Sequence, residues 1–309
     1  MELKVSLKNI TLKTPFLLAS GTCGFGLIFE KFFDVKETAT VITKGLSLNP
    51  NPGNPPPRLY ETYAGLLNSI GLENPGADTF LKDIAPKLEK KKIPYIINIY
   101  GKDIDEFIKL VEKLNKTQAL AYEVNVSCPN VKKGGLAFGQ DLDTLKTLLK
   151  EIKKVSKKEL IVKLSPNVSD IKPFVKVCLD ENIFNITVAN TYLGMAVDLK
   201  NFKPHFKRIY AGYSGPAIKP LTLRFVYEAS KVSEKANIIA SGGITTFKDA
   251  LEYFLVGAKA VQLGSILFRD SKAPAKFKES LKAYIKSLNL NTFEELLEFF
   301  KEKRKAWEV

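Results

Sequence analysis

Eight short apolar runs alternate with longer amphipathic stretches along most of the chain, and this alternation restricts the fold more than any other feature. The runs are residues 15–19, 39–43, 95–99, 119–126, 160–164, 185–189, 237–240 and 260–263. The stretches predict helices at about 77–91, 102–116, 142–157, 168–181, 219–235, 246–256 and 272–287. Apolar runs alternating with helices are typical of buried parallel strands. The count of eight favours a closed (β/α)8 barrel, the TIM type of α/β fold, over an open sheet.

Two segments lie outside this repeat. Residues 3–7 and 10–13 predict a β-hairpin with Asn9 near its turn, which would cap the bottom of the barrel. Near the other end, Asn291 or Thr292 is expected to cap a C-terminal helix. No Ser/Gly linker or shift in composition divides the 309 residues, so we expect one domain over residues 1–309.

The histidines and cysteines limit the possible chemistry. His205 is the one histidine of the sequence, which excludes multi-histidine metal sites. Cys23, Cys128 and Cys178 are too far apart for a disulfide framework, a zinc site or an iron–sulfur motif, so we expect no bound metal. The sequence begins without an apolar signal segment and has no apolar run of membrane-spanning length, so we expect a cytoplasmic protein.

The chain is basic, with 47 Lys and Arg against 33 Asp and Glu and a formal net charge of +14. Such a charge suits either a nucleic-acid partner or a lysine-rich solvated surface. Most lysines fall in helical runs such as 87–92 and 150–158, without interleaved aromatic residues. This pattern favours the solvated surface, with attraction of a small anionic substrate as a further effect.

Glycines follow two of the predicted strands, at the end of the barrel where the loops form one shared site. Gly242 and Gly243 follow the seventh run, and Gly264 and Ser265 follow the eighth. Backbone N–H groups at glycines, reinforced by a helix N-terminus, suit a phosphate group, although glycines can also simply close tight turns. No Gly-x-Gly-x-x-Gly follows a strand, so a mononucleotide phosphate fits better than a dinucleotide.

Lysines and amides follow other predicted strands. Lys44 and Lys163 end the second and fifth runs, where each could form a Schiff base or place a fixed positive charge beside an anionic ring. A carboxamide offers both a donor and an acceptor, as a planar ligand with an imide group requires. The amides in question are Asn68, Asn125, Asn130 and Asn190.

Cys128 lies just beyond the fourth run, between Asn125 and Asn130. A thiol, with an ordinary pKa near 8.5, serves as a base at neutral pH when cations lower that pKa or the proton is activated. A lone cysteine is otherwise an inert small hydrophobe. The polar neighbours favour a functional thiol here. Cys178 is expected in the core, and the role of Cys23 stays open.

Four separated motifs resemble those of dihydroorotate dehydrogenases, and the resemblance runs from about residue 3 to the C-terminal helix. The motifs are Asn125-Val126-Ser127-Cys128-Pro129-Asn130, Asn68-Ser69-Ile70-Gly71-Leu72-Glu73-Asn74-Pro75-Gly76, Val162-Lys163-Leu164-Ser165-Pro166-Asn167 and Ser214-Gly215-Pro216-Ala217-Ile218-Lys219-Pro220. The resemblance implies an FMN-dependent oxidoreductase that converts dihydroorotate to orotate in de novo pyrimidine (UMP) biosynthesis.

The resemblance also indicates a subtype. Membrane-linked members carry serine at the base position, whereas this chain has Cys128. Among the soluble cysteine members, segments 20–26, 194–198 and 214–220 are more similar to the NAD-linked B-type catalytic subunit than to the fumarate-linked A-type. A B-type chain implies a homodimer and an electron-transfer partner subunit, carrying FAD and a 2Fe–2S cluster, that completes a heterotetramer.

The family roles transfer to numbered positions. Cys128 would remove the C5 proton of dihydroorotate while a hydride leaves C6 for N5 of FMN, and Lys163 would lie at the N1/O2 edge of the flavin and favour its anionic reduced form. The residues implied to hold the pyrimidine are Lys44, Asn68, Ile70, Gly71, Leu72, Asn125, Asn130, Asn190 and Thr191. Those implied to hold FMN are Ala19, Ser20, Gly21, Lys44, Asn98, Asn125, Lys163, Gly215, Gly242, Gly243, Gly264 and Ser265.

Two positions depart from the family pattern. Tyr100 stands where a small residue is expected, and Ala211 precedes Gly212 where a glycine pair is usual; both would reshape the edge of the flavin or its phosphate loop. The alternatives are an A-type enzyme, a dihydropyrimidine dehydrogenase, a tRNA-dihydrouridine synthase and a catalytically silent phosphate-binding barrel. The synthase would need an RNA-binding helical domain, for which too few residues follow Ser265.

Overall fold

The structure is a computed structural model that describes residues 2–127 and 138–307. Its strands are β1 (Val5–Leu7), β2 (Ile10–Leu12), β3 (Phe16–Leu18), β4 (Thr40–Ile42), β5 (Leu59–Thr62), β6 (Gly65–Asn68), β7 (Tyr95–Ile99), β8 (Ala121–Asn125), β9 (Glu159–Lys163), β10 (Asn185–Val188), β11 (Tyr192–Gly194), β12 (Val197–Asp198), β13 (Lys203–Pro204), β14 (Ala211–Ser214), β15 (Asn237–Ser241) and β16 (Ala258–Leu263).

The helices connect and follow these strands. They are α1 (Val35–Thr38), α2 (Gly76–Thr79), α3 (Ala85–Lys90), α4 (Ile104–Leu114), α5 (Leu142–Val155), α6 (Lys172–Asp180), α7 (Lys219–Ser230), α8 (Phe247–Leu255), α9 (Ile266–Arg269), α10 (Ala273–Ser287) and α11 (Phe293–Lys305). A π-helical segment, Phe80–Ile84, joins α2 to α3, and 3-10 turns lie at Leu27–Lys31, Phe138–Gln140 and Pro216–Ile218.

Eight of the strands close into a parallel barrel in the order β3-β4-β7-β8-β9-β10-β15-β16, and β16 pairs with β3. This confirms the predicted (β/α)8 fold. Each barrel strand overlaps one of the eight predicted runs, and each of the seven predicted helices overlaps an observed one. The register places Asn98 opposite Glu123 and Asn125 opposite Lys163, so polar residues of neighbouring strands lie side by side inside the barrel.

The hairpin of β1 and β2 lies at the amino ends of the barrel strands, as predicted. Its turn residue Lys8 donates its N–H to Asn185 Oδ1 at 3.0 Å and accepts a bond from Asn185 Nδ2 at 3.0 Å, and Asn185 begins β10. The hairpin therefore caps the bottom of the barrel and leaves the opposite end for the site.

At the C-terminal end of the chain, Thr292 is the N-cap of α11, and its side chain accepts a hydrogen bond from the Glu295 N–H at 3.1 Å.

A four-stranded antiparallel sheet, in the order β11-β14-β6-β5, stands on the carboxyl end of the barrel and was not predicted. Its register brings Gly212 opposite Asn68 and Tyr213 opposite both Leu67 and Tyr192. A small apolar cluster lies under it, with Leu67, Ala196, Phe206 and Ala211 buried together. The sheet thus holds Asn68 over the mouth of the barrel. Across the described residues, no helix is long and apolar enough to cross a membrane.

Candidate active site

A cavity of about 700 Å³ opens at the carboxyl ends of the barrel strands. It falls within the usual size range of small-molecule and cofactor sites. Every described residue to which the family resemblance gives a role lines this one cavity: Ala19, Ser20, Gly21, Lys44, Asn68, Ile70, Gly71, Leu72, Asn98, Asn125, Lys163, Asn190, Thr191, Gly215, Gly242, Gly243, Gly264 and Ser265. Cys128 and Asn130 lie outside the described residues.

Three of the predicted amides are held in fixed orientations at the cavity wall. Asn190 Nδ2 donates to Asn125 Oδ1 at 3.1 Å, and the same oxygen accepts from the Ser127 N–H at 3.1 Å. Asn68 Nδ2 donates to the Gly212 carbonyl at 3.1 Å across the upper sheet. Because an amide bonded on one side keeps its remaining donor or acceptor aimed in one direction, this wall suits a planar polar ligand.

The two predicted lysines, Lys44 and Lys163, are paired with carboxylates. Lys163 is buried; its Nζ donates to Gln262 Oε1 at 2.9 Å and lies 3.6 Å from Glu123 Oε1. The Lys44 side chain is 26% exposed, and its Nζ lies 3.7 Å from Glu73 Oε2. A carboxylate beside a lysine stabilises the ammonium form, whereas a Schiff base requires the neutral amine. The geometry therefore favours fixed positive charges.

Glu123 was missed by the sequence analysis as a functional candidate. It is fully buried inside the barrel, where Oε1 accepts from Asn98 Nδ2 at 2.7 Å and Oε2 accepts from the Thr187 hydroxyl at 2.9 Å and from Gln262 Nε2. Its signal is in the sequence: a glutamate inside an apolar strand, two residues before Asn125, must point to the same side as that amide. A buried carboxylate needs partners, and Lys163 is one of them.

Asn98 has a free acceptor that fits a ligand. Its side chain is buried and lines the cavity, yet Oδ1 accepts no hydrogen bond from any described residue. A buried acceptor without a donor is costly, so a bound molecule that brings an N–H or O–H group would stabilise it. FMN carries both kinds of donor, and on this observation the cavity fits the cofactor that the family resemblance implies.

Tyr100, the first departure from the family pattern, acts on the rim above the cavity. Its hydroxyl donates to the Leu72 carbonyl at 2.9 Å and accepts from Asn51 Nδ2 at 2.8 Å and Asn74 Nδ2 at 2.9 Å. Leu72 has a φ of 58°, in the left-handed region that a leucine seldom adopts. The tyrosine therefore fixes the strained rim residues that would contact the pyrimidine.

The second departure, Ala211, does not affect the neighbouring position, Gly212, at which a glycine is required. Ala211 packs into the apolar cluster with Leu67 and Phe206 under the upper sheet. At Gly212, by contrast, a Cβ atom would collide with the Thr191 hydroxyl oxygen. One glycine is therefore sufficient for the close approach of β14 to Thr191.

The glycines after β15 are required by packing of the chain itself. Gly243 has a φ of 70°, and a Cβ atom there would lie 2.6 Å from the Lys219 Cα atom. The following helix α8 begins with a capping box, in which Asp249 Oδ2 accepts the Thr246 N–H at 2.6 Å, whereas no described side chain caps α9 after Gly264 and Ser265.

The structure gives Cys23 a structural role. Its Sγ atom donates to the Ile42 carbonyl at 3.1 Å, and burial raises the pKa of the thiol to about 12. Cys178 is fully buried on α6, as predicted, and burial raises its pKa above the ordinary range. Neither thiol lines the cavity. Neither of these two buried thiols is therefore placed to act as a base in the cavity.

Comparison with known proteins identifies the family. The sequence profile described as dihydroorotate dehydrogenase matches residues 2–285. The chain belongs to the dihydroorotate dehydrogenase family. Membership confirms the resemblance found in the motifs, and it accounts for the joint presence of the amides, the two lysines and the glycine loops around one cavity of a (β/α)8 barrel.

Three relatives in this family cover nearly the whole chain. The dihydroorotate dehydrogenase B (NAD(+)) catalytic subunits of Thermoanaerobacter pseudethanolicus and Caldicellulosiruptor bescii are 43% and 41% identical, each over 96% of this chain and 98% of the relative. A putative dihydroorotate dehydrogenase A (fumarate) of Aquifex aeolicus is 42% identical, also over 96% of this chain and 98% of the relative. Overall identity therefore does not separate the two acceptor types.

Proposed function

We propose that this chain is the FMN-binding catalytic subunit of a B-type dihydroorotate dehydrogenase, which oxidises dihydroorotate to orotate in pyrimidine biosynthesis. The observation that carries the proposal is the convergence of the described family residues on one cavity, with a buried lysine on its floor and paired amides on its wall. The floor suits a redox cofactor with an anionic reduced form, and the wall suits a flat, imide-bearing substrate.

FMN would occupy the floor and the glycine side of the cavity. Asn98, Asn125 and Lys163 would contact its ring, and the loop N–H groups of Gly215, Gly242, Gly243, Gly264 and Ser265 would surround its phosphate, with Ala19, Ser20 and Gly21 along its length. When bound, FMN supplies the acceptor for the hydride that leaves C6 of the substrate. The protein's part is to orient the ring and to place positive charge beside it.

Dihydroorotate would lie between this floor and the rim. Lys44 would face its carboxylate, while Asn68, Asn125, Asn130 and Asn190 with Thr191 would bind the ring amides, and the rim segment of Ile70, Gly71 and Leu72 would close over it. Cys128 would accept the C5 proton. Ser127, the residue before Cys128 in the sequence, lines the cavity, and this supports the assignment.

Electrons would leave through a second protein. The relatives named as B (NAD(+)) catalytic subunits imply a separate partner, and we propose that it carries FAD and a 2Fe–2S cluster, with a dimer of the present chain at the centre of a cytoplasmic heterotetramer. Large apolar side chains that stand exposed on and beside the upper sheet support contact with another chain; they include Leu193, Leu199, Phe202 and Tyr210. Direct use of fumarate is the alternative, in line with the Aquifex aeolicus relative.

The purified protein is expected to carry FMN and to lose its yellow colour when dihydroorotate is added without oxygen. The flavin absorbance at about 450 nm reports this reduction directly. NAD should then reoxidise the flavin only when the co-purified partner is present, and fumarate should not.

Full FMN loading without bleaching by dihydroorotate would contradict the proposed reaction. Rapid reoxidation of the isolated chain by fumarate would instead retain the reaction and assign the chain to the A-type. The two results are separate because the first measures reduction of the flavin and the second its reoxidation.

Tyr100→Phe is expected to weaken orotate binding about fivefold to tenfold while FMN binding stays unchanged. The substitution removes the hydrogen bond to the Leu72 carbonyl and the acceptor shared by Asn51 and Asn74, at about 1 kcal/mol for a typical bond. Titration of the flavin spectrum with orotate measures the first effect, and FMN fluorescence on release measures the second. Tyr227→Phe is the control, since that ring packs on Trp307, far from the cavity lining. Unchanged orotate affinity in Tyr100→Phe would contradict the role of the rim network.

A further inference from the structure

The strongest unassigned feature is a closed polar network under the floor of the cavity. Glu123 is at its centre, with no exposed surface, and it does not line the cavity, whereas Lys163, Gln262 and Asn98 do. Asn98, Thr187 and Gln262 all donate to the Glu123 carboxylate, and Lys163 lies against the same oxygen as Asn98. These four partners lie on β7, β9, β10 and β16, so the network joins four barrel strands to one buried negative charge.

We infer that Glu123 is a positioning residue that holds the Lys163 ammonium in place and sets how much of its positive charge acts on the bound flavin. This inference rests on the proposed function, because it concerns FMN in the cavity. It differs from the role given to Lys163, since Glu123 would touch neither cofactor nor substrate.

The geometry fixes the lysine from two sides. The Lys163 Nζ atom donates to Gln262 Oε1 at 2.9 Å and lies 3.6 Å from Glu123 Oε1. The Gln262 amide in turn donates to Glu123 Oε2 and, at 3.2 Å, to the Thr187 hydroxyl. Glutamine and glutamate therefore orient each other, and both hold the ammonium of Lys163, which lines the cavity.

The charges of the network decide the sign of the effect. Reduction of the flavin adds negative charge to its ring, and a positive charge nearby stabilises that state. A carboxylate beside the ammonium opposes part of this stabilisation, strongly so in a buried site of low dielectric constant. Glu123 would therefore keep Lys163 in position while lowering the flavin potential relative to an unpaired lysine.

Glu123→Gln tests this inference in the FMN-loaded protein. The amide keeps the size of the side chain and one acceptor oxygen but removes the negative charge. The affinity of the protein for reduced FMN, relative to its affinity for oxidised FMN, is expected to rise at least about tenfold. This corresponds to a rise of about 30 mV in the two-electron midpoint potential. The potential is measured by equilibration with reference dyes at several pH values, independently of turnover.

A double-mutant cycle separates a role through Lys163 from a general structural one. In a Lys163→Met background no ammonium is left for Glu123 to position, so adding Glu123→Gln should raise the flavin potential by clearly less than it does in the parent. An equal rise of the potential in both backgrounds, or no rise in Glu123→Gln alone, would overturn the inference.

Thr187→Val supplies the decisive measurement if Glu123→Gln does not give a folded flavoprotein. Thr187 does not line the cavity, so it acts on the flavin only through the network. Removing its hydroxyl takes a donor from the carboxylate, strengthens the negative field at Lys163 and should lower the flavin potential. An unchanged potential would overturn the inference. A protein that binds no FMN at all, even as wild type, would instead refute the proposed function.

Discussion

Lys163→Met is expected to slow flavin reduction by dihydroorotate about 100-fold and to lower the free energy of unfolding by about 3 kcal/mol. The rate falls because the buried ammonium is the positive charge that stands at the cavity floor. Stability falls because Glu123 stays buried without its cation, and a buried charge that has lost its partner costs several kcal/mol. FMN should still bind through the loops around its phosphate.

Two measurements separate the effects of this substitution. Anaerobic stopped-flow spectroscopy gives the rate of flavin reduction, and urea unfolding of the FMN-free protein gives the stability. The double variant with Glu123→Gln should recover most of the lost stability, because it removes the unpaired carboxylate, but not the rate. Lys154→Met is the matched control: Lys154 pairs with Glu151 on the surface of α5 and should contribute less than about 1 kcal/mol. A Lys163→Met protein as fast as the parent would contradict the assignment of Lys163.

The barrel was predictable because its signal is repeated. Each βα unit carries an apolar strand that is buried on both faces, such as Tyr95–Ile99, followed by an amphipathic helix, such as Ile104–Leu114. Eight repeats of one pattern tolerate small errors at individual boundaries. The upper sheet has no such signal, since β11 and β14 are short and partly exposed, and Gly212 of β14 pairs with Asn68 of β6, 144 positions away. Its existence depends on tertiary packing that no local pattern reports.

The cavity residues followed from the fold, but the pairing of their charges did not. A residue just past a barrel strand must face the shared site, so Lys44, Asn98 and Lys163 could be placed from the strand ends alone. Which carboxylate neutralises which lysine depends on contacts across the barrel. Gln262 and Glu123, for example, are joined inside the barrel although 139 positions separate them. The sign of this charge pairing in the sequence was Glu123, a single glutamate within an apolar strand.

Cys128→Ala is expected to leave FMN bound and to slow flavin reduction by dihydroorotate at least about 100-fold, the usual size of a lost general base. Formation of the double bond between C5 and C6 requires loss of the C5 proton as well as of the C6 hydride, and no other thiol of the chain is suited to accept that proton. The Cys23 thiol is buried against the Ile42 carbonyl with its pKa raised to about 12, and Cys178 is enclosed in the core on α6. Ser127, the residue before Cys128 in the sequence, lines the cavity.

Cys23→Ala is the matched control, because it deletes a thiol of the same size that cannot ionise at neutral pH. Its rate of flavin reduction should stay within about twofold of the parent. A modest loss of stability is expected from the removal of a buried side chain. Iodoacetamide should alkylate Cys128 in the folded protein and spare the two buried thiols, and orotate should protect it. In the parent, the reduction rate should rise with pH as the thiol loses its proton, and in Cys128→Ala this rise should disappear. If the alanine variant instead reduced its flavin at nearly the parent rate, the base would have to be a group other than the thiol, and the cysteine at this position would serve packing alone.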